Sequence, residues 1–139
     1  MNLETHLRVA GVLLLLLAAV NTLLPKELGW RADLAKLSLV NRQIFLVHGA
    51  FIVLTVVLFG LLSLCFAAEL AAPSPLARAV LGGLALFWGL RLATQLFIYD
   101  RSLWRGHRRN TAVHVVAVLL WVYLAGVFGW GFWGQIAGA

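Results

Sequence analysis

The sequence predicts an all-α integral membrane protein, a four-helix bundle joined by short loops. Three observations predict it. First, 63% of the 139 residues are hydrophobic and 12% are charged. A soluble domain carries about 25% charged and about 45–50% apolar residues, so most of this surface has to face lipid. Second, the chain holds four apolar stretches, each close to the roughly 20 residues that a spanning helix needs. Third, its positive charges gather in two of the connections, as topology signals do.

The first segment covers about 7–24 and contains the run Leu13 to Leu17, with Pro25 expected to end it. Its length resembles a signal peptide. Arg8 is its only positive flank and no A-x-A site precedes a soluble domain, so it reads as a retained helix. The second segment covers about 43–68. Pro73 and Pro75 then force a turn. The third covers about 76–99 and the fourth about 111–132, all within one transmembrane domain spanning 1–139. Between the first two segments, Leu34, Leu37 and Val40 recur at helical spacing. They predict either a short helix lying on the membrane surface or an ordered connector over the bundle mouth.

Lys26, Arg31, Lys36 and Arg42 sit in the first connection, and Arg101, Arg105, Arg108 and Arg109 in the third. The opposite side has Arg8 and Arg78. Positive loops stay in the cytoplasm. The expected location is therefore a bacterial-type cytoplasmic (inner) membrane, multi-pass, with both termini on the outer side. Trp30 and Trp104 would mark the cytoplasmic interface, and Trp130 and Trp133 the outer one. The net charge of +6 does not signal a nucleic-acid partner, because no folded basic module carries it. Lone Cys65 excludes CxxC redox chemistry and reads as a small apolar side chain.

Ionisable groups within a bilayer are costly and usually face the protein interior. Here they gather in the cytoplasmic half. His48 lies about 7 Å into the second segment, Arg91 about 12 Å and Gln95 about 6 Å into the third, and His114 about 4 Å into the fourth, at 1.5 Å per residue. Asn21 sits near the cytoplasmic end of the first segment, while the outer half has little beyond Thr55, Ser63 and Cys65. Helical spacing puts His48 with Ile44, Ile52 and Thr55, and Leu84 with Trp88, Arg91, Gln95 and Tyr99. It also aligns His107, Thr111, His114 and Trp121. Trp88 and Trp121 lie away from the interface where Trp concentrates, as walls of a polar chamber open to the cytoplasm.

Each residue also has a plainer role. The histidines and Gln95 serve as interhelical glue, the tryptophans as core filling, His107 as a solvated loop residue. Arg91 would pair with a carbonyl or reach toward Asp100. Gly82, Gly83 and Gly89 permit close helix approach or a homo-oligomer. Arg91 resists the plain reading most, since no acid lies at its level.

Three functions follow as expectations. The most specific is a b-type haem electron-transfer protein. Haem b would be held by His48 and His114 at similar depth, with Arg91 and Gln95 on its propionates and Trp121, Phe45 and Phe51 around the macrocycle. The second is an enzyme or binding protein for an anionic or amphipathic small molecule. There Arg91 and Arg42 hold the anion, and His48 or His114 moves protons. The third is a structural or accessory membrane subunit. Proton-coupled export needs an embedded carboxylate, and Glu69 and Asp100 lie at the boundaries. Zinc is disfavoured, because His107 and His114 are two turns apart.

The second expectation carries a resemblance. Four helices, external termini, basic cytoplasmic loops and an Arg in the third helix, here in Trp88-Gly89-Leu90-Arg91, resemble the MAPEG family of membrane glutathione-dependent enzymes. The resemblance implies a glutathione-type ligand near Arg91. The chain departs from that family early in the second helix, where Asn41-Arg42-Gln43 brings no Glu before Glu69.

Overall fold

The computed structural model describes residues 2–100, 102 and 108–138. The expectations placed on Arg101, Trp104, Arg105 and His107 lie outside the described residues. The fold is all-α, with no strand among the described residues. Its elements are α1 (Leu3–Glu27), α2 (Trp30–Leu34), α3 (Leu39–Cys65), α4 (Ala67–Ala71), α5 (Pro75–Phe97) and α6 (Arg108–Ala137). Helices α1, α3, α5 and α6 are long and apolar enough to cross a membrane. The chain is a multi-pass membrane protein of the expected fold class.

Several boundaries differ from the sequence reading. Pro25 does not end α1, which runs two residues further. Proline removes one backbone donor, and so near a C-terminus it breaks a single bond. The next turn bond, Leu28 N–H to Leu24 O at 2.9 Å, is intact. Helix α3 begins at Leu39 because the Ser38 side chain caps it, accepting from the Asn41 N–H at 3.4 Å. It ends at Cys65, and α4 follows as a separate short helix. Ser74 caps α5 by accepting from Ala77 N–H at 3.0 Å. Pro75 then occupies the first turn, where its missing donor is harmless. Between the first two spans, where the sequence allowed either a surface helix or an ordered connector, the structure forms only the short helix α2, which includes Leu34 but not Leu37 or Val40. Gly29 precedes it at φ 65°, a left-handed conformation that favours glycine.

The chain divides into two compact units, 8–67 and 1–7 with 68–139. In the first, the N-terminal half of α1 and the C-terminal end of α3 meet through glycine. A Cβ on Gly11 would lie 2.7 Å from the Leu64 backbone N and 2.8 Å from the Gly60 O. Only hydrogen fits there. Gly60 reciprocates, with Leu15 lying 3.0 Å from where its Cβ would stand. Such small-residue contacts are how helices approach closely in lipid. Toward the other end, Trp30 packs edge-on against Phe45, with ring centroids 4.9 Å apart.

In the second unit, α5 and α6 pack antiparallel. Trp88 stacks on Trp121, Gln95 reaches His114, and Phe132 lies where a Gly82 side chain would go. The buried face of α5 is Ala77, Leu81, Leu84, Trp88 and Gln95. That of α6 includes Trp121, Leu124, Val127, Phe128 and Gly131. The opposite faces, including Leu86 and Leu90 on α5 and Val116 and Leu119 on α6, are exposed as lipid-facing residues should be.

The Gly11 contact involves backbone atoms that cannot rotate away. Replacing Gly11 with Val should destabilise the protein by about 1–3 kcal/mol, the usual range for forced overpacking. Gly49, with nothing within 4 Å of its missing Cβ, should accept Ala without loss. Thermal melting of both variants in mild detergent checks the contrast.

Candidate functional site

Five of the six residues singled out in the sequence meet in the α5–α6 unit. Arg91 and Gln95 are one turn apart on α5, and His114 faces them from α6. On the helix rise, Arg91 lies about 9 Å inside the last residue of α5 and His114 about 9 Å inside the first residue of α6. They sit at one level because the pair is antiparallel. Arg91 Nη1 donates to Gln95 Oε1 at 3.1 Å, and Gln95 Nε2 lies 2.9 Å from His114 Nδ1.

The direction of these bonds is fixed by chemistry. Guanidinium has donors and no acceptor. The Gln95 carbonyl oxygen must therefore face Arg91, which turns the amide NH2 toward His114. Nδ1 of His114 then has to accept, so the ring is neutral with its proton on Nε2. Gln95 is 5% exposed, so no solvent competes for its amide.

Aromatic rings complete the cluster. The Arg91 guanidinium carbon lies 4.9 Å from the Trp121 ring centroid and 5.7 Å from that of Tyr99. Both are cation–π distances. Trp121 in turn stacks on Trp88 at 5.1 Å, with 15° between the ring planes. Both indoles are buried, and neither Nε1–H has a hydrogen-bond partner among the described residues. Arg91 does not reach Asp100. That carboxylate instead accepts the Ser102 backbone N–H at 2.7 Å. This bond, with help from the Ser102 hydroxyl, holds the Asp100 carboxyl below the usual carboxylate range. None of the partners of Arg91 among the described residues is a carboxylate.

His48, the sixth residue, belongs to the other unit. Its Nδ1 lies 2.8 Å from Ile44 O, so Nδ1–H donates within α3 and Nε2 stays out of that bond. The stripe it shares with Ile44 and Ile52 is exposed, with Thr55 turned back onto Phe51 O. Asn21 likewise bonds its own helix, donating to Leu17 O at 3.0 Å.

Two further polar constellations escaped the sequence reading, both in the α5–α6 unit. Gln135 is 5% exposed. Its amide donates to Leu70 O and Ala72 O at 3.2 and 2.8 Å, and its oxygen accepts from Ser74 N–H at 3.0 Å. Arg78 adds a bond to the Gln135 carbonyl at 3.0 Å. One amide thus satisfies the irregular backbone between α4 and α5, which lipid could not do. His6 Nδ1 and the Tyr123 hydroxyl are in hydrogen-bond contact at 3.0 Å, and Trp130 meets the imidazole edge-on at 5.7 Å. A lone Gln near a chain end and a His before an apolar run carry no spacing signal. Their partners are backbone groups or residues more than a hundred positions away.

Compared with known proteins, the chain matches no family model, no curated protein and no solved structure. The resemblance to the MAPEG enzymes therefore rests on layout and on Arg91 alone.

Proposed function

We propose that this protein binds an anionic amphipathic small molecule in the cytoplasmic half of an inner membrane, with Arg91 as the anchoring cation. The observation that carries the reading is the state of Arg91. It is half-buried in a spanning helix, oriented by Gln95 and two aromatic faces, and none of its partners among the described residues carries negative charge. A cation in that position is expensive unless an anion joins it. The acids of the chain are Glu4, Glu27, Asp33, Glu69 and Asp100, none within the middle of a span. The missing charge has to come from outside the chain.

The hydrogen-bond order weighs against haem b as the occupant. With Nδ1 accepting from Gln95 and the proton on Nε2, His114 has no lone pair left for iron. Reversing the ring would turn the Gln95 NH2 onto a guanidinium, donor against donor. His48 uses Nδ1 for Ile44 O and leaves Nε2 out of that bond, but His114 does not match it as a second ligand.

The membrane placement rests on charge. Lys26, Arg31, Lys36 and Arg42 flank one connection, and Arg108 and Arg109 open α6. These ends should remain cytoplasmic, with both termini outside.

Three experiments test the reading. In zwitterionic nanodiscs, 1-octanesulfonate titrated by calorimetry should bind the protein, and Arg91→Gln should weaken it by about tenfold or more. Loss of a charge-assisted hydrogen bond, at roughly 1.5–3 kcal/mol, sets that scale. Equal binding by both proteins would remove Arg91 from the site. A Soret band in the purified protein that disappears with either His48→Ala or His114→Ala would shift the assignment to haem. For topology, Cys65→Ala protein carrying Ala72→Cys should react with an impermeant maleimide from outside intact cells. Protein carrying Ala35→Cys should react only after permeabilisation. The reverse pattern would invert the orientation.

A further inference from the structure

The connection from α1 to α3 lies within the 8–67 unit. From Lys26 to Arg42 it has four cations, Lys26, Arg31, Lys36 and Arg42, against two acids, Glu27 and Asp33. Asp33 is taken by Lys36 at 2.8 Å. Lys26, Arg31 and Arg42 make no hydrogen bond or ion pair with another described residue through their side chains. Lys26 is in the last turn of α1, Arg31 is in α2 and Arg42 is the fourth residue of α3, so the three stand at one end of the helix pair. Apolar side chains lie among them. Leu28 is 59% and Leu37 42% exposed, and Leu39 and Val40 are exposed beside them. Trp30 fixes the level of this segment. Its ring packs edge-on against Phe45, which lies about 9 Å along α3 from Leu39 on the helix rise. The contact holds the start of α2 beside the first turns of a spanning helix. That is the boundary level at which Trp and amphipathic segments settle.

We infer that this connection is a docking surface for the membrane itself, one that takes anionic phospholipid head groups. Leu28, Leu37, Leu39 and Val40 enter the acyl boundary. Lys26, Arg31 and Arg42 lay their apolar stems along it and carry their charges out to the phosphates. Charge selects the lipid. A zwitterionic head group brings its own cation and leaves the three basic side chains uncompensated, whereas an anionic head group brings net negative charge. The preference belongs to one end of the helix pair, because the chain between Cys65 and Pro75 has no Lys or Arg and carries the acid Glu69. A soluble acidic partner would match the charge but would leave the exposed leucines in water, where contiguous apolar surface is unfavourable. The inference does not depend on Arg91 or on any ligand held there.

Amide hydrogen exchange in nanodiscs, read by mass spectrometry, tests it. Amides of residues 28–37 should exchange at least about fivefold more slowly in phosphatidylglycerol discs than in phosphatidylcholine discs, the scale of one Lys or Arg at an anionic surface. Raising NaCl from about 0.01 M to about 1 M should remove most of that difference, because the Debye length shrinks from about 30 Å to about 3 Å. Both measurements use the unaltered protein, so neither depends on the folding of a variant. The triple change Lys26→Gln, Arg31→Gln and Arg42→Gln should make exchange in the two lipids alike. Equal exchange of the unaltered protein in both lipids would overturn the inference. So would a lipid difference that survives high salt or the triple change, or one that slows all four spans equally. Slowing by polyglutamate in phosphatidylcholine discs, without slowing in phosphatidylglycerol discs, would overturn it in favour of an acidic protein partner.

Discussion

A guanidinium cannot accept a hydrogen bond, and that constraint orders the polar cluster of the α5–α6 unit. Because Arg91 only donates, Gln95 must present its oxygen to it. Because the amide is thereby oriented, His114 must accept on Nδ1 and carry its proton on Nε2. Three side chains on two helices are locked into one protonation and tautomer pattern by a single group. The aromatic faces of Trp121 and Tyr99 hold the cation without neutralising it. The resulting cluster is positively charged and rich in donors, inside a chain whose own carboxylates sit at helix ends and loops.

The same rule acts where no charge is present. Lipid offers no hydrogen bonds, so polar groups in irregular backbone have to be satisfied within the protein. Gln135 does this for the turn between α4 and α5 with one amide and three bonds. Elsewhere the apolar contacts must be made by close fit, since burying apolar surface gains little in a solvent of hydrocarbon. Gly11 and Gly60 let α1 and α3 approach until backbone touches backbone. Gly82 makes room for Phe132 on α6. Tethered in these ways, α5 and α6 bring Trp88 to Trp121 and Gln95 to His114.

Much of this was legible in the sequence, and the rest was not for identifiable reasons. The stripe of Leu84, Trp88, Arg91 and Gln95 follows helical spacing, and the structure puts Leu84, Trp88 and Gln95 on the buried face of α5. Trp121 was visible as a large ring off the interface. The sequence could not show that α6 would bring His114 and Trp121 opposite that stripe, because helix rotation is set by packing. His48 fitted the same depth rule as His114, yet it lies on an exposed stripe and bonds its own helix. Depth is readable from residue counting, whereas the direction a side chain faces in a uniformly apolar helix is not. Pro25 misled because a proline in the last turn removes only one bond. Ser38 was overlooked because hydropathy begins later than the helix it caps. Gln135 and His6 were missed because their partners leave no local pattern.

The donor–acceptor order of the Arg91–Gln95–His114 chain underlies the cluster, and nitrogen-15 NMR of labelled imidazole reads it directly. The protein has four histidines, and His114→Gln assigns the relevant signals by their disappearance. In nanodiscs at neutral pH, His114 should show an unprotonated Nδ1 and a protonated Nε2. A ring protonated on Nδ1 would contradict the account, because Gln95 would then have to face Arg91 with its NH2 and the cluster would lose the polarity on which everything else depends.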